Sequence, residues 1–131
     1  MSAGRRSSRR QAAFILYQLD LLKLDVTAAL RRDHNREVGE YARRLVVGVE
    51  TERGRIDSLL GQHVTGWRLE RLGVLERAIL RVATYELLVE AEVPVAVVID
   101  EAVNLAKRFC SDEAAGLVNA VLAGIAAEVR E

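Results

Sequence analysis

Four arginines stand close together near the start of this 131-residue chain and offer its clearest binding chemistry. They precede the first acidic residue and are Arg5, Arg6, Arg9 and Arg10. A guanidinium group matches phosphate oxygens through parallel N–H donors, and the free backbone N–H groups at a helix start add more. Ser8 can cap a helix that begins at Arg9, which places the cluster on and before such a start. The residues alone leave two interpretations open, a phosphate-binding surface and a solvated basic tail.

Tyr17 lies on the same predicted helix, at the border of its apolar side. Its ring can pack inside while its hydroxyl reaches outward, because tyrosine combines an apolar body with a polar tip. It is therefore either an ordinary boundary tyrosine or an aromatic group beside the basic surface.

Acidic side chains form two further candidate groups. Glu76 and Arg77 lie within residues 67–88, a long and mainly apolar stretch. Together with Arg81 and Thr84 they form its polar strip. Most such strips are merely solvated. Asp112 and Glu113 follow Ser111, a predicted helix cap, so the helix dipole already favours their charge.

Catalytic and metal-binding chemistry finds no support in the sequence. His34 and His63 lack a second histidine or cysteine at ligand spacing, and there is no Gly-rich phosphate loop or nucleophile elbow. The lone Cys110 excludes an intramolecular disulfide and fits a reducing cytoplasm. Nineteen basic and nineteen acidic residues cancel, and no apolar run is long enough to span a membrane. We expect a soluble cytoplasmic protein with no catalytic, cofactor or metal site, and hence no enzyme.

The element that must position these groups is residues 67–88, WRLERLGVLERAILRVATYELL. At helical spacing this stretch is apolar on two sides, which predicts a central helix covered twice. Glu86 projects into the apolar arc, where an unpaired carboxylate is costly to bury. It needs a partner, for example the backbone N–H groups at the start of a neighbouring helix.

The remaining pattern is helical throughout and predicts an all-α fold. Apolar spacing predicts helices over 9–24, 27–33 and 36–64, behind a flexible basic arm at residues 1–8. Pro94 can be the first residue of a further helix whose apolar series runs from Val95 to Phe109, and Ser111 caps a last helix with core residues from Leu117 to Val129. Residues 9–131 would form one helical domain. Gly48 and Gly54 lie inside the 36–64 helix, where each costs roughly 1 kcal/mol relative to alanine, so we expect close contact or a bend there.

Four segments in order resemble the NusB family over nearly the whole chain. They are RRQAAFILYQLDL at 9–21, W-x-L-x-R-L-x-x-L-E-R-A-I-L-R-V-A-x-Y-E-L at 67–87, VPVAVVIDEAVNLAKRF at 93–109 and LVNAVL at 117–122. The resemblance implies two three-helix-bundle-like subdomains that share the central helix, about seven helices in all. The N-terminal half would be about 9–66 and the C-terminal half about 67–131.

The resemblance also implies a function without a catalytic step. Members bind boxA-type single-stranded RNA together with the ribosomal protein NusE, as part of the RNA polymerase antitermination complex with other Nus factors on ribosomal RNA operons. By this resemblance RNA would lie on Arg5, Arg6, Arg9 and Arg10 with Tyr17 nearby, Arg9 matching the family pattern best. The protein partner would contact Glu76, Arg77, Asp112 and Glu113.

Two other functions stay open at this point. One is an RNA-recognition domain like that of some ribosomal RNA cytosine methyltransferases, which a chain ending at Glu131 without a cofactor-binding domain disfavours. The other is a structural helical protein that forms a homodimer. A pull-down with NusE separates the dimer from the adaptor.

Overall fold

The structure is a computed structural model that describes residues 2–32, 37–64 and 69–130, with side chains from Arg5 onward except that of Glu70. Seven α-helices and one short 3₁₀ turn, Leu69–Arg71, occupy these ranges. The helices are α1 (Ser2–Leu22), α2 (Val26–Arg31), α3 (Glu40–Thr51), α4 (Arg53–His63), α5 (Val74–Val89), α6 (Val95–Phe109) and α7 (Asp112–Val129). The predicted all-α fold is confirmed. None of these helices is long and apolar enough to cross a membrane.

Helix α5 is the shared central element. All ten residues from Ala78 to Leu87 are buried. The helix contacts α1, α3 and α4 as well as α6 and α7, and α6 packs closely on α7. One apolar core cluster runs through both groups of helices. The prediction that the central helix is covered on two sides is therefore confirmed, although α5 begins at Val74 and residues 65–68 lie outside the described ranges.

Two polar residues of the predicted exposed strip are in fact inside. Arg81 is 5 % exposed and Thr84 fully buried. Arg81 is accommodated because its guanidinium binds Asp20 of α1 at 2.6 Å and Asp57 of α4 at 2.8 Å. The expectation that these two positions were merely solvated was wrong, since charge type alone does not reveal a partner on another helix.

The start of α1 differs from the prediction. The chain is helical from Ser2, so Ser8 lies inside the helix and caps nothing, and the predicted flexible arm at residues 1–8 is corrected accordingly. Distant acids hold this extra length: Arg5 lies 3.8 Å from Glu92, and Arg6 lies 3.0 Å from Glu101.

The predicted helix over 36–64 is two helices, α3 and α4, separated at Glu52. Gly48 is a point of close contact, because a Cβ there would lie 2.3 Å from Cε1 of Tyr85. Gly54 lies two residues past the break and has open space around it. The expectation of close contact or a bend is confirmed, with contact at Gly48 and the bend beside Gly54.

The starts of α2 and α7 are both capped by side chains, and the cap predicted at Ser111 is confirmed. Asp25 accepts the Ala28 N–H at 2.8 Å, and the Ser111 hydroxyl accepts the Ala114 N–H at 3.0 Å. Each bond satisfies one of the free donors at a helix start.

Candidate functional site

The arginines of α1 divide between an inner and an outer side of the helix. Arg9 is 3 % exposed, and its Nε lies 2.8 Å from Oε1 of Glu86, with Nη2 3.0 Å from Oε2. The Tyr41 hydroxyl donates to the same Oε2 at 2.7 Å. Burial, followed by this hydrogen bond to Glu86, raises the pKa of Tyr41 above its ordinary value. Glu86 thus has the partners that a buried carboxylate requires. They are the Arg9 guanidinium and the Tyr41 hydroxyl, not the backbone N–H groups that were expected.

This position corrects the interpretation of Arg9 as a phosphate contact. Its guanidinium faces α5, and its Nη1 is buried with no hydrogen-bond partner among the described residues. Breaking a buried pair leaves the remaining charge uncompensated, which is strongly unfavourable. Arg9 therefore fixes α1 against α5.

Arg5 and Arg6 lie at the surface and are both partly neutralised. The Arg5 guanidinium carbon lies 4.4 Å from the centre of the Tyr41 ring, and one Arg5 nitrogen lies 3.8 Å from Glu92. The Arg6 Nε donates to both carboxylate oxygens of Glu101, at 3.0 and 3.2 Å. These pairs keep the first turns of α1 helical while leaving basic N–H groups at the surface.

Arg10 is the arginine of this cluster that no described acid pairs with. It lines a broad groove of about 1250 Å³ beside α1 and α2, together with Phe14, Gln18 and Arg32. It also lines a smaller cleft of about 400 Å³ between α1 and α6. Arg10 therefore stands between two concave surfaces.

Tyr17 is half-buried on α1, as its border position predicted. Its ring packs against the edge of the core and meets Phe14 edge-on, with ring centres 6.5 Å apart. Tyr17 thus lies one helical turn beyond Phe14, whose ring borders the broad groove.

The predicted partner residues form a second, separate surface. Glu76 of α5 and Glu113 of α7 line one cleft of about 290 Å³, with Arg71 and Leu117. The Glu76 carboxylate accepts the Gly73 N–H at 3.4 Å, so it also helps to cap α5. Two carboxylates from distant parts of the chain are thus brought to one concave surface.

The other two predicted partner residues lie near this cleft without lining it. Asp112 is exposed in the first turn of α7, next to Glu113. Arg77 is half-buried, and its Nη1 donates to the Leu72 carbonyl at 2.7 Å. Arg77 therefore helps to fix the turn before α5.

Comparison with known proteins identifies this arrangement. The NusB family model matches residues 6–127. The chain belongs to the NusB family. The transcription antitermination protein NusB of Rubrobacter xylanophilus is 43 % identical over 123 residues, covering 92 % of this chain and 88 % of the relative.

Solved NusB structures agree with the fold. A NusB structure from T. maritima has a TM-score of 0.87 and 33 % identity, covering 97 % of this chain and 93 % of that one. A crystal structure of antitermination factors NusB and NusE in complex with dsRNA has a TM-score of 0.83 and 28 % identity, covering 98 % and 99 %. The predicted shared-helix architecture is the NusB fold.

Several residues of these surfaces were not found from the sequence. Arg108 and Phe109 at the end of α6 adjoin the basic face of α1, and Arg44 binds the buried Glu90 at 2.7 Å. The segment 93–109 resembles the family as a whole but does not single out Arg108 or Phe109, and no spacing links Arg44 to an acid 46 positions away. His34 lies outside the described ranges. Within them, no group of three His, Cys, Asp or Glu side chains could hold a metal ion.

Proposed function

We propose that this chain is an RNA-binding transcription antitermination factor that binds boxA-type RNA together with the ribosomal protein NusE and has no catalytic step. The observation that carries the proposal is the near-complete match to the NusB of the NusB–NusE–dsRNA complex, at a TM-score of 0.83. The name of the relatives supports the same role.

The outer side of α1 is the surface we assign to RNA. Arg6 and Arg10 present guanidinium groups on its flank toward α6, Arg5 lies on the opposite flank against Tyr41, and Tyr17 lies further along the helix. Phosphate contacts supply affinity, and exposed aromatic rings stack on unpaired bases. Arg9 contributes from the inside, by holding this face in place through Glu86.

The cleft between α5 and α7 is the surface we assign to NusE. Ribosomal proteins are usually basic, and Glu76 and Glu113 place two carboxylates at this cleft, with Asp112 exposed beside it. A helix-dipole role alone predicts that Glu113→Gln lowers stability by roughly 0.3–1 kcal/mol and leaves NusE binding unchanged. An interface role predicts weaker binding with little change in melting temperature.

Titration of NusE into Glu76→Ala and Glu113→Gln tests this surface. We expect Glu76→Ala to weaken binding more, because this side chain lies on α5 itself and faces the cleft. Asp100→Ala, an exposed acid on α6, is the matched control. Wild-type affinity of folded Glu76→Ala for NusE would remove this cleft from the proposal.

The RNA function is tested with a fluorescent boxA RNA, titrated with the chain alone and with the chain plus NusE. A scrambled RNA of equal length measures specificity, and a duplex form is included because the solved complex holds dsRNA. We expect tighter binding to boxA than to the scrambled RNA, and a further gain with NusE. Equal binding to both sequences with NusE present would contradict the proposal.

The proposal extends to the cytoplasmic RNA polymerase antitermination complex with other Nus factors. Addition of NusE and boxA RNA to a polymerase transcribing past a terminator, with and without this chain, measures that role directly. The homodimer is tested separately, by light scattering at the concentration that binds RNA. A monomer at that concentration would exclude self-association from the mechanism.

A further inference from the structure

Helices α1 and α6 lie side by side and run in the same direction. The Arg6 guanidinium of α1 bonds the Glu101 carboxylate of α6, which lies 95 positions later in the sequence. The Phe14 ring contacts the Phe109 ring, which is also 95 positions later. Because the sequence interval is the same at both contacts, the two helices are parallel. One side of α1 and one side of α6 therefore form a continuous groove between these contacts.

The middle of this groove is a cleft of about 400 Å³ with an excess of positive charge. Arg6, Ser7 and Arg10 line it from α1, and Glu101, Asn104, Leu105 and Arg108 line it from α6. Glu101 is bonded to Arg6, so that pair is neutral. Arg10 and Arg108 have no ion pair with any described residue, which leaves two unmatched guanidinium groups across one cleft.

An aromatic ring lies next to the Arg108 end of this cleft, where it lines the neighbouring broad groove beside α1 and α2. Phe109 is 37 % exposed, and the Phe14 ring holds it edge-on at 5.0 Å and 89°. The Arg108 guanidinium carbon lies 5.1 Å from the centre of the Phe109 ring. Because the guanidinium lies over one face of this ring, a base stacks on Phe109 either at the remaining face or by replacing the guanidinium, which is then free to bind a phosphate.

We propose that the α1–α6 cleft is a nucleotide subsite for single-stranded RNA, in which Arg10 and Arg108 bind backbone phosphates and a base stacks on Phe109. The inference rests on the proposed RNA-binding function and adds residues of α6 to the surface of α1. Single-stranded RNA is recognised by such a combination of basic groove and aromatic platform. An acidic peptide would match the charges but would gain nothing from the platform.

The test measures the affinity of a labelled single-stranded boxA RNA against salt concentration. Each phosphate contact contributes about 0.7 to the slope of log affinity against log salt. We expect Arg10→Ala and Arg108→Ala each to lower the slope by about 0.7, and the double variant by about 1.4. Arg43→Ala, an exposed arginine of α3 with no described ion pair, is the matched control and should leave the slope unchanged.

The platform is tested with two replacements of Phe109. Phe109→Leu removes the aromatic face and should weaken RNA binding about fivefold or more at every salt concentration without changing the slope. Phe109→Tyr keeps the face and should bind like the wild type. Thermal melting of each variant checks the fold, and the arginine variants decide the proposal if Phe109→Leu does not fold.

The outcomes separate this subsite from the proposed function. Wild-type slopes for Arg10→Ala and Arg108→Ala, in a chain that still binds boxA RNA, would overturn the subsite and leave the function intact. Tight binding of a polyglutamate peptide that Phe109→Leu leaves unchanged would assign the cleft to acidic protein and overturn the subsite. Failure of the wild type to bind RNA, with or without NusE, would overturn both.

Discussion

Helix α5 is held in two different ways by the helices on its two sides. Toward α1, α3 and α4 its buried acid and its buried arginine find charged partners: Glu86 binds Arg9, and Arg81 binds Asp20 and Asp57. Toward α6 and α7 the packing is mainly apolar, with Val118, Val121, Leu122 and Ile125 of α7 buried. The Arg130 guanidinium, just after α7, adds hydrogen bonds to the Leu87 and Glu86 carbonyls at 3.0 and 2.8 Å.

The two kinds of contact contribute differently: charged pairs fix how a helix is oriented, and apolar burial mainly stabilises the fold. Apolar burial is strong but has no direction, whereas a charged pair with hydrogen bonds forms only in one arrangement. Arg9 and Arg10 are neighbours, so fixing Arg9 inside also turns Arg10 outward. We infer that the buried pairs fix the orientation of α1, the helix that we assign to RNA, while α6 and α7 supply mainly apolar burial.

The largest expected effect comes from breaking the Arg9–Glu86 pair. Glu86→Ala leaves the buried Arg9 without a counter-charge and should lower the free energy of unfolding by about 3–5 kcal/mol. Urea denaturation measures it, and the exposed Asp100→Ala should change stability by less than about 0.5 kcal/mol. Because α1 loses its anchor, boxA affinity should fall at temperatures where the variant is still folded. A destabilised variant with unchanged affinity would contradict the assigned role of the pair.

A cavity between α5 and α7 should lower the free energy of unfolding by nearly as much, but it should not lower the affinity for boxA RNA. Leu122 is fully buried on α7, and Leu122→Ala should lower the free energy of unfolding by about 2–5 kcal/mol. Ile125→Val, which removes one methylene group, should cost about 0.5–1.5 kcal/mol. Both variants should bind boxA RNA like the wild type below their melting temperatures. Loss of RNA binding in folded Leu122→Ala would show that α7 packing also positions α1.

The same contrast explains what could be predicted from the sequence. Helices α6 and α7 follow an apolar spacing that is written locally, and both were predicted as helices, with Ser111 as the cap of α7. Pro94, which was predicted as the first helical residue, is the residue before α6. The need of Glu86 for a partner was also visible, because a carboxylate stood on an apolar face. Its partner was not visible, since Arg9 is 77 positions away and no local rule connects the two.

The errors have the same cause. The start of α1 was predicted at Arg9 because the residues before it are small, polar and basic. In the structure, ion pairs from Arg5 to Glu92 and from Arg6 to Glu101 hold those residues in a helix. The candidate surfaces were found in part: Glu76 and Glu113 do share a cleft. Arg108 was missed, because its relation to Arg10 exists only once α1 and α6 lie in parallel.

The hydrogen bond from the Tyr41 hydroxyl to Glu86 tests how far the stability of the α1–α3–α5 contacts depends on the protonation of one phenol. Tyr41→Phe removes a hydrogen bond to the buried Glu86 carboxylate and should cost about 2 kcal/mol at neutral pH. Because the folded state raises the pKa of Tyr41, its contribution is complete below about pH 10 and declines at higher pH, where the unfolded chain loses this proton first. Denaturation at neutral pH and above pH 10 should show the wild type and Tyr41→Phe converging. A constant difference would mean that the phenol does not hold its proton for Glu86.

The contact between α3 and α5 tests close packing on the charged side. Gly48→Ala would place a Cβ 2.3 Å from Tyr85, and the hydroxyl of that ring is bonded to Glu90 at 3.1 Å, so the ring cannot move without loss. We expect a cost of about 1–3 kcal/mol. Gly61→Ala on α4 meets open space and should be neutral or stabilising by up to about 1 kcal/mol. Equal stability of the two variants would show that Tyr85 yields at little cost.

The smallest expected effect compares the two helix caps. Ser111→Ala removes the acceptor for the Ala114 N–H and should cost about 1 kcal/mol in global unfolding, because the first turn of α7 includes the buried Ala114 and Ala115. Asp25→Ala removes an equivalent bond from α2, which has six residues and only Ala29 fully inside. A short helix with so little burial opens locally, so amide exchange in α2 should accelerate while global unfolding changes less than in Ser111→Ala. An equal global loss in both variants would mean that α2 unfolds together with the core, and that the charged side of the molecule is as cooperative as the apolar one.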